Sequence, residues 1–170
     1  MTTQVLDEGS GVPPDPVAAA ERAPARPLYG LMPIHGYDIA AAVVLRMLDG
    51  DDGRGLRARG IGPGEPVPYG VQPVIVIPST VYGTVLLEAI VRGWPTGAVP
   101  RPWLVVVADA PARPAPAARY RLRALSGRLA GIAYLPYLPV LRAVERVEDA
   151  LADGAVARAA ARLRAQLEGK

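Results

Sequence analysis

The chain contains no cysteine, which excludes disulfides, thiolate metal sites and a cysteine nucleophile together. It has no phenylalanine and only two tryptophans, so any core must be assembled from Ala, Val, Leu and Ile. Asparagine is absent. The single histidine, His35, leaves carboxylates to supply nearly every ligand of a transition-metal site, which disfavours zinc. Neither a metal nor a cofactor is expected. Lysine occurs once, at Lys170, against eighteen arginines. That bias, with abundant Ala, Gly and Pro, is what a GC-rich genome produces, and arginine richness therefore carries little functional weight. The net charge of +3 and pI near 9.5 are too mild to demand nucleic acid or an anionic membrane.

What is present suits one domain with a tail. A length of 170 residues, half of them hydrophobic, is enough to bury a real core. Residues 1–26 are rich in Pro, Ala and charge without periodicity and are expected to form a disordered lead. They carry acids where a secretion signal needs basic residues, and no apolar run follows. The uncharged stretch from Pro66 to Leu87 has the length of a membrane span. Pro68, Gly70, Gln72, Pro73, Pro78, Ser79 and Thr80 break it, and it reads as strand, turn and helix. A cytoplasmic location is the expectation.

Along the chain, Leu28 to Met32 reads as a first strand, and Pro33-Ile34-His35-Gly36 as a turn. Asp38 is placed to cap a helix that runs to Asp49 and is closed by Gly50. Six glycines between Gly50 and Gly64 predict a long flexible loop over 49–70. Val74 to Ile77, bounded by prolines, predicts a strand buried on both faces. A helix over Tyr82–Arg92 follows. Trp103 to Ala108 is the strongest strand pattern in the chain. A helix over Ala118–Leu129 places Ala118, Leu122, Leu125 and Leu129 in one narrow arc. Gly131 to Leu135 predicts a last strand, and the chain from Val140 predicts a helix broken at Asp153-Gly154. Strands alternating with helices imply an open, mostly parallel α/β sheet of about four to five strands with helices on both faces. The organisation expected is a lead at 1–26, an α/β domain at 27–145 and a helical segment at 146–170.

Four segments carry a family likeness. Leu28–Gly36 with its following helix, Pro73–Thr80, Trp103–Pro111 with its Ala-Asp-Ala-Pro ending, and Ile132–Val144 occur in the order of the corresponding pieces of a ParA/MinD-type P-loop NTPase. The chain resembles a trimmed member of that class, of the kind carried on actinobacterial plasmids and integrative elements. The resemblance implies a P-loop-NTPase/Rossmann-like topology. It implies a setting in plasmid transfer, partition or secretion machinery, with protein partners and with homo-oligomerisation open.

The departures from the class are chemical. Phosphate loops use glycines to let backbone N–H groups reach the phosphates and a lysine to neutralise them. Here Gly30 and Gly36 are one residue too far apart, Tyr37 stands in the lysine position, and Asp38 replaces the magnesium-binding hydroxyl. A carboxylate at that helix start occupies the place of a phosphate and repels one. The segment for the hydrolytic carboxylates is replaced by the glycine-rich loop. ATP hydrolysis is not expected.

Candidate ligand contacts are His35, Gly36, Asp38, Ser79, Thr80 and Asp109, because open α/β sheets bind ligands at the carboxyl ends of their strands. The plainer reading makes them turn caps and a loop histidine. A Ser79, His35 and Asp109 triad can be written down, but the Gly-x-Ser-x-Gly elbow is missing. Between Ala110 and Val144 there are six arginines and no acid. Arg119 and Arg123 flank one side of the predicted helix stripe, and Arg121 and Arg128 the other. They are candidate anion or nucleic-acid contacts, or ordinary stems covering the core boundary. Tyr134–Pro139 forms a rigid apolar run suited to a partner ledge or to sealing the sheet. Two functions follow: a non-catalytic NTPase-like binding or scaffold domain, or a small hydrolase or transferase with a strand-end pocket.

Overall fold

In a computed structural model, residues 28–36, 38–50 and 57–169 are described. Five strands form one sheet, all parallel: β1 (Tyr29–Pro33), β2 (Ala58–Gly60), β3 (Gln72–Pro78), β4 (Trp103–Val107) and β5 (Gly131–Leu135), in the order β2-β1-β3-β4-β5. The helices are α1 (Ile39–Asp49), α2 (Val81–Arg92), α3 (Pro116–Leu125), α4 (Val147–Leu151) and α5 (Gly154–Leu167). The expected open α/β architecture is present, with the sheet parallel throughout. The expected lead at 1–26 lies outside the described residues.

Both faces of the sheet are covered because the central strands are apolar at consecutive positions. On β3, Val74 and Val76 turn to one face, and Ile75 and Ile77 to the other. The first face packs with Val105, Val107, Ala133 and Leu135 against α1 and α5 through Val43, Val44, Met47, Val156 and Leu163. The second packs with Leu104 and Val106 against α2 and α3 through Leu87, Val91, Leu122 and Leu125. Aliphatic side chains fill both layers, as the lack of phenylalanine requires.

Four details differ from expectation. The 49–70 stretch contains a strand, β2, held in place by the buried carboxylate of Asp49. Its Oδ1 accepts the N–H groups of Arg57 (2.7 Å) and Ala58 (3.3 Å). Second, β3 includes both flanking prolines. Gln72 N–H bonds to Leu28 O and Val76 O accepts from Ile34, so even positions of β3 face β1. Pro73 therefore faces β4 one residue before that strand's pairing begins, and Pro78 faces β1 beyond its end. Neither removes a ladder bond. Third, α3 stops at Leu125, where Ser126 Oγ donates to Arg123 O (2.8 Å), and a 3₁₀ turn carries Ser126–Arg128. Fourth, the chain after β5 does not continue as helix from Val140. It makes a 3₁₀ turn over Pro139–Arg142 that buries Leu138 and Leu141 across the strand ends, before α4 and α5. The predicted break at Asp153-Gly154 is an N-cap: Asp153 Oδ1 accepts from Ala155 and Val156. Among the described residues no helix is long and apolar enough to cross a membrane.

Candidate functional site

Strand order 2-1-3-4-5 reverses direction between β1 and β3, and ligands of open parallel sheets bind outside the carboxyl ends at such a point. A cavity of about 240 Å³ lies there. Its walls come from the ends of β1, β3 and β4, the start of α1 and the turn after β5.

Each wall is set locally. Beyond β1, Ile34 N–H still bonds to Val76 O (3.2 Å), which holds the turn against β3. Gly36 then takes φ +86, a value that L side chains rarely adopt, and redirects the chain into α1. Asp38 caps the helix: its Oδ1 accepts from Ala41 N–H at 2.8 Å. After β3, Ser79 N–H donates to Val107 O (2.8 Å), and Thr80 Oγ1 caps α2 by accepting from Gly83 N–H (3.0 Å). Ser79 Oγ donates to Asp109 Oδ1 and accepts from Asp109 N–H (3.2 Å). That double bond ties the ends of β3 and β4. Arg142, arriving from the 3₁₀ turn, donates to Asp109 O (2.6 Å) and lies 5.6 Å from the centre of the Tyr137 ring.

Of the six candidate contacts, the cavity brings together His35, Gly36, Asp38 and Asp109. Ser79 and Thr80 are not in its wall. Ser79 is buried and its hydroxyl is engaged by Asp109 in both roles, while Thr80 is a helix cap. His35 packs its ring on Tyr82, centroids 5.5 Å apart, and makes no hydrogen bond to Ser79 or Asp109. Ser79 and Asp109 bond directly to each other, with no base between them, and no triad is formed.

Arg142, Tyr137, Leu138 and Leu141 complete the wall. Only the prolines around Tyr137 hinted that the chain turns over the strand ends there. The wall is mostly aliphatic. Among the described residues its acidic and basic side chains are Asp38 and Asp109 against Arg142, two acids to one arginine, with His35 beside them. Such a cavity suits a small apolar group with a hydrogen-bonding or cationic head, and disfavours a polyanion. No group of three or more His, Cys, Asp or Glu able to hold a metal ion occurs among the described residues.

The arginines separate into two sets. Arg121 pairs with Glu88 of α2 at 3.5 Å, and Arg128 sits in the 3₁₀ turn beyond α3. Arg119 and Arg123 lie on the opposite side of α3, exposed and without a carboxylate partner among the described residues. Comparison with protein-family models, curated proteins and solved structures finds no match for the chain.

Proposed function

We propose that this protein is a non-catalytic NTPase-like binding domain, a scaffold that keeps the parallel sheet and the strand-end cavity of such enzymes without gripping a triphosphate. The setting implied by the resemblance, an accessory of plasmid transfer, partition or secretion machinery working through protein partners, is part of the same proposal. One observation carries it: the N-terminus of α1, where a phosphate would sit, is already occupied by the Asp38 carboxylate bonded to Ala41 N–H. The excess of acids over arginines among the described residues of the cavity wall supports the reading. So does Arg142, the one arginine in the cavity wall among the described residues, whose guanidinium is engaged by Asp109 O and Tyr137.

The test is a thermal shift series with ATP and GTP in the presence of Mg²⁺. The expected result is an unchanged midpoint; stabilisation by several degrees would overturn the proposal, because a ligand at free concentration L that binds only the native state raises its stability by RT ln(1 + L/Kd). Asp38→Ser sharpens the test. Serine retains a capping oxygen while removing the charge, so this variant should show whatever weak triphosphate affinity the helix start still has. A small hydrolase or transferase is the second reading; it rests on the cavity at the strand ends and requires Ser79 to be released from Asp109. Phosphonylation of Ser79 by an active-site-directed fluorophosphonate, with loss of fluoride, would support it, and inertness would remove it.

A further inference from the structure

The two edges of the sheet are finished differently. β2 is three residues long and carries Arg59, whose guanidinium is paired with Glu65 at 2.7 Å. That matches the usual protection of an edge by brevity and charge. β5 has five residues, Gly131-Ile132-Ala133-Tyr134-Leu135, with no charge, no internal proline and an unbroken register along β4. Among the described residues nothing pairs with its outer side.

The free hydrogen-bonding groups on that side can be assigned. Ala108 N–H donates to Leu135 O at 3.0 Å, beside the register pair Val107↔Leu135. In a parallel ladder alternate residues turn both backbone groups to the same neighbour. Gly131, Ala133 and Leu135 therefore serve β4, and the N–H and C=O of Ile132 and Tyr134 point outward. Tyr134 is 55% exposed beside them. A hollow of about 340 Å³ lies at the carboxyl end of this strand, lined by Ser79, Ala108, Tyr134, Pro136 and, from α5, Arg162 and Gln166. On the other face, Arg121 reaches back to Glu88, which turns Arg119 and Arg123 toward the β5 side of α3. Arg119, Arg123 and Arg162 are exposed and have no carboxylate partner among the described residues.

We propose that the outer edge of β5 is a docking site for an extended acidic segment of a partner protein, added as a sixth strand. The outward groups of Ile132 and Tyr134 bond its backbone, Tyr134 packs its apolar side chains, and the arginines on both faces meet its carboxylates. A second copy of this chain fits worse, since two-fold pairing of β5 brings Arg119, Arg123 and Arg162 of both copies toward each other. Nucleic acid has no strand to offer Ile132 and Tyr134. The inference stands on the sheet edge and not on the cavity, so a domain that proved catalytic would leave it intact.

The experiment uses the full chain and a fluorescent peptide alternating valine with glutamate, followed by anisotropy at low salt and by amide exchange. Saturable binding is expected, with slowed exchange of the Ile132 and Tyr134 amides. Methylating alternate peptide nitrogens should abolish it. Reversing the exposed charges with Arg119→Glu, Arg123→Glu and Arg162→Glu should weaken it by about tenfold or more without unfolding the domain. Four results would each overturn the proposal: no peptide binding; equal binding of the methylated peptide; duplex DNA binding that the peptide does not compete; or Ile132 and Tyr134 amides already protected without peptide, as in a dimer.

Discussion

The turns that lead from β1 into α1 and from β3 into α2 perform the same task at the same end of the sheet with opposite chemistry. The first is loose. Gly36 has nothing within 4 Å of where a Cβ would stand, and the cap is a charged, exposed Asp38 facing the cavity. The second is tight. The cap is the neutral Thr80, Ser79 is tied to Asp109, and a Cβ on Gly83 would meet Pro78 O at 2.6 Å. The loose turn therefore leaves space at the cavity mouth, and the tight one secures the ends of β3 and β4.

The largest effect should separate the two glycines. Gly83→Ala forces a helix start off a backbone carbonyl and should cost about 1–3 kcal/mol in urea unfolding. Gly36→Ala suffers only its positive φ and should cost about 1 kcal/mol. The reverse ranking would erase the contrast between the turns. Next come the caps. Asp38→Ala and Thr80→Ala should each lose about 0.5–2 kcal/mol, but only the Asp38 loss should shrink at high salt, because its charge acts on the helix dipole and salt screens that. Equal salt dependence would mean that the Asp38 charge contributes nothing at α1. Ser79→Ala should cost about 1 kcal/mol of net hydrogen bonding. Because Ser79 holds Asp109, the same variant should loosen amide exchange at Asp109 and leave Gly36 unaffected.

The smallest effect is a control from the opposite end of the sheet. Burial pushes the Tyr29 phenol above its ordinary range, Glu168 adds to this, and Arg57 opposes it. A raised native pKa contributes stability that is complete below the unfolded pKa, about 10, and is lost as pH climbs through the native one. A spectrophotometric titration should show late phenol ionisation that Tyr29→Phe removes. Substitutions at either turn should leave it in place; a shift caused by Asp38→Ala would show that the two ends are coupled.

Legibility followed the range of the interactions. Strands β1, β3, β4 and β5 were readable because each is a short apolar run with its own punctuation. The Asp38 cap lies within three residues of the group it bonds, and the helix break at Asp153-Gly154 was readable, though not that Asp153 caps the next helix. β2 was not readable: it is three residues in a glycine-rich stretch, and it depends on Asp49 eight residues earlier. Candidate site residues divided in the same way. Placing His35, Gly36, Asp38 and Asp109 at strand ends needed only the strand pattern, and the cavity gathers them. That Ser79 would be consumed by Asp109, thirty residues away, and that Arg142 would cross to Asp109 from thirty-three residues away, had no local signature.

By itself the sequence determined an aliphatic, cysteine-free parallel sheet and an acid at the start of its first helix, since hydrophobic period and capping act over a few residues. Only the tertiary structure decided which strand ends share a cavity, which hydroxyl is already engaged and which sheet edge stays open. Those depend on contacts between residues that the chain keeps far apart, and a one-dimensional pattern carries no information about such distances.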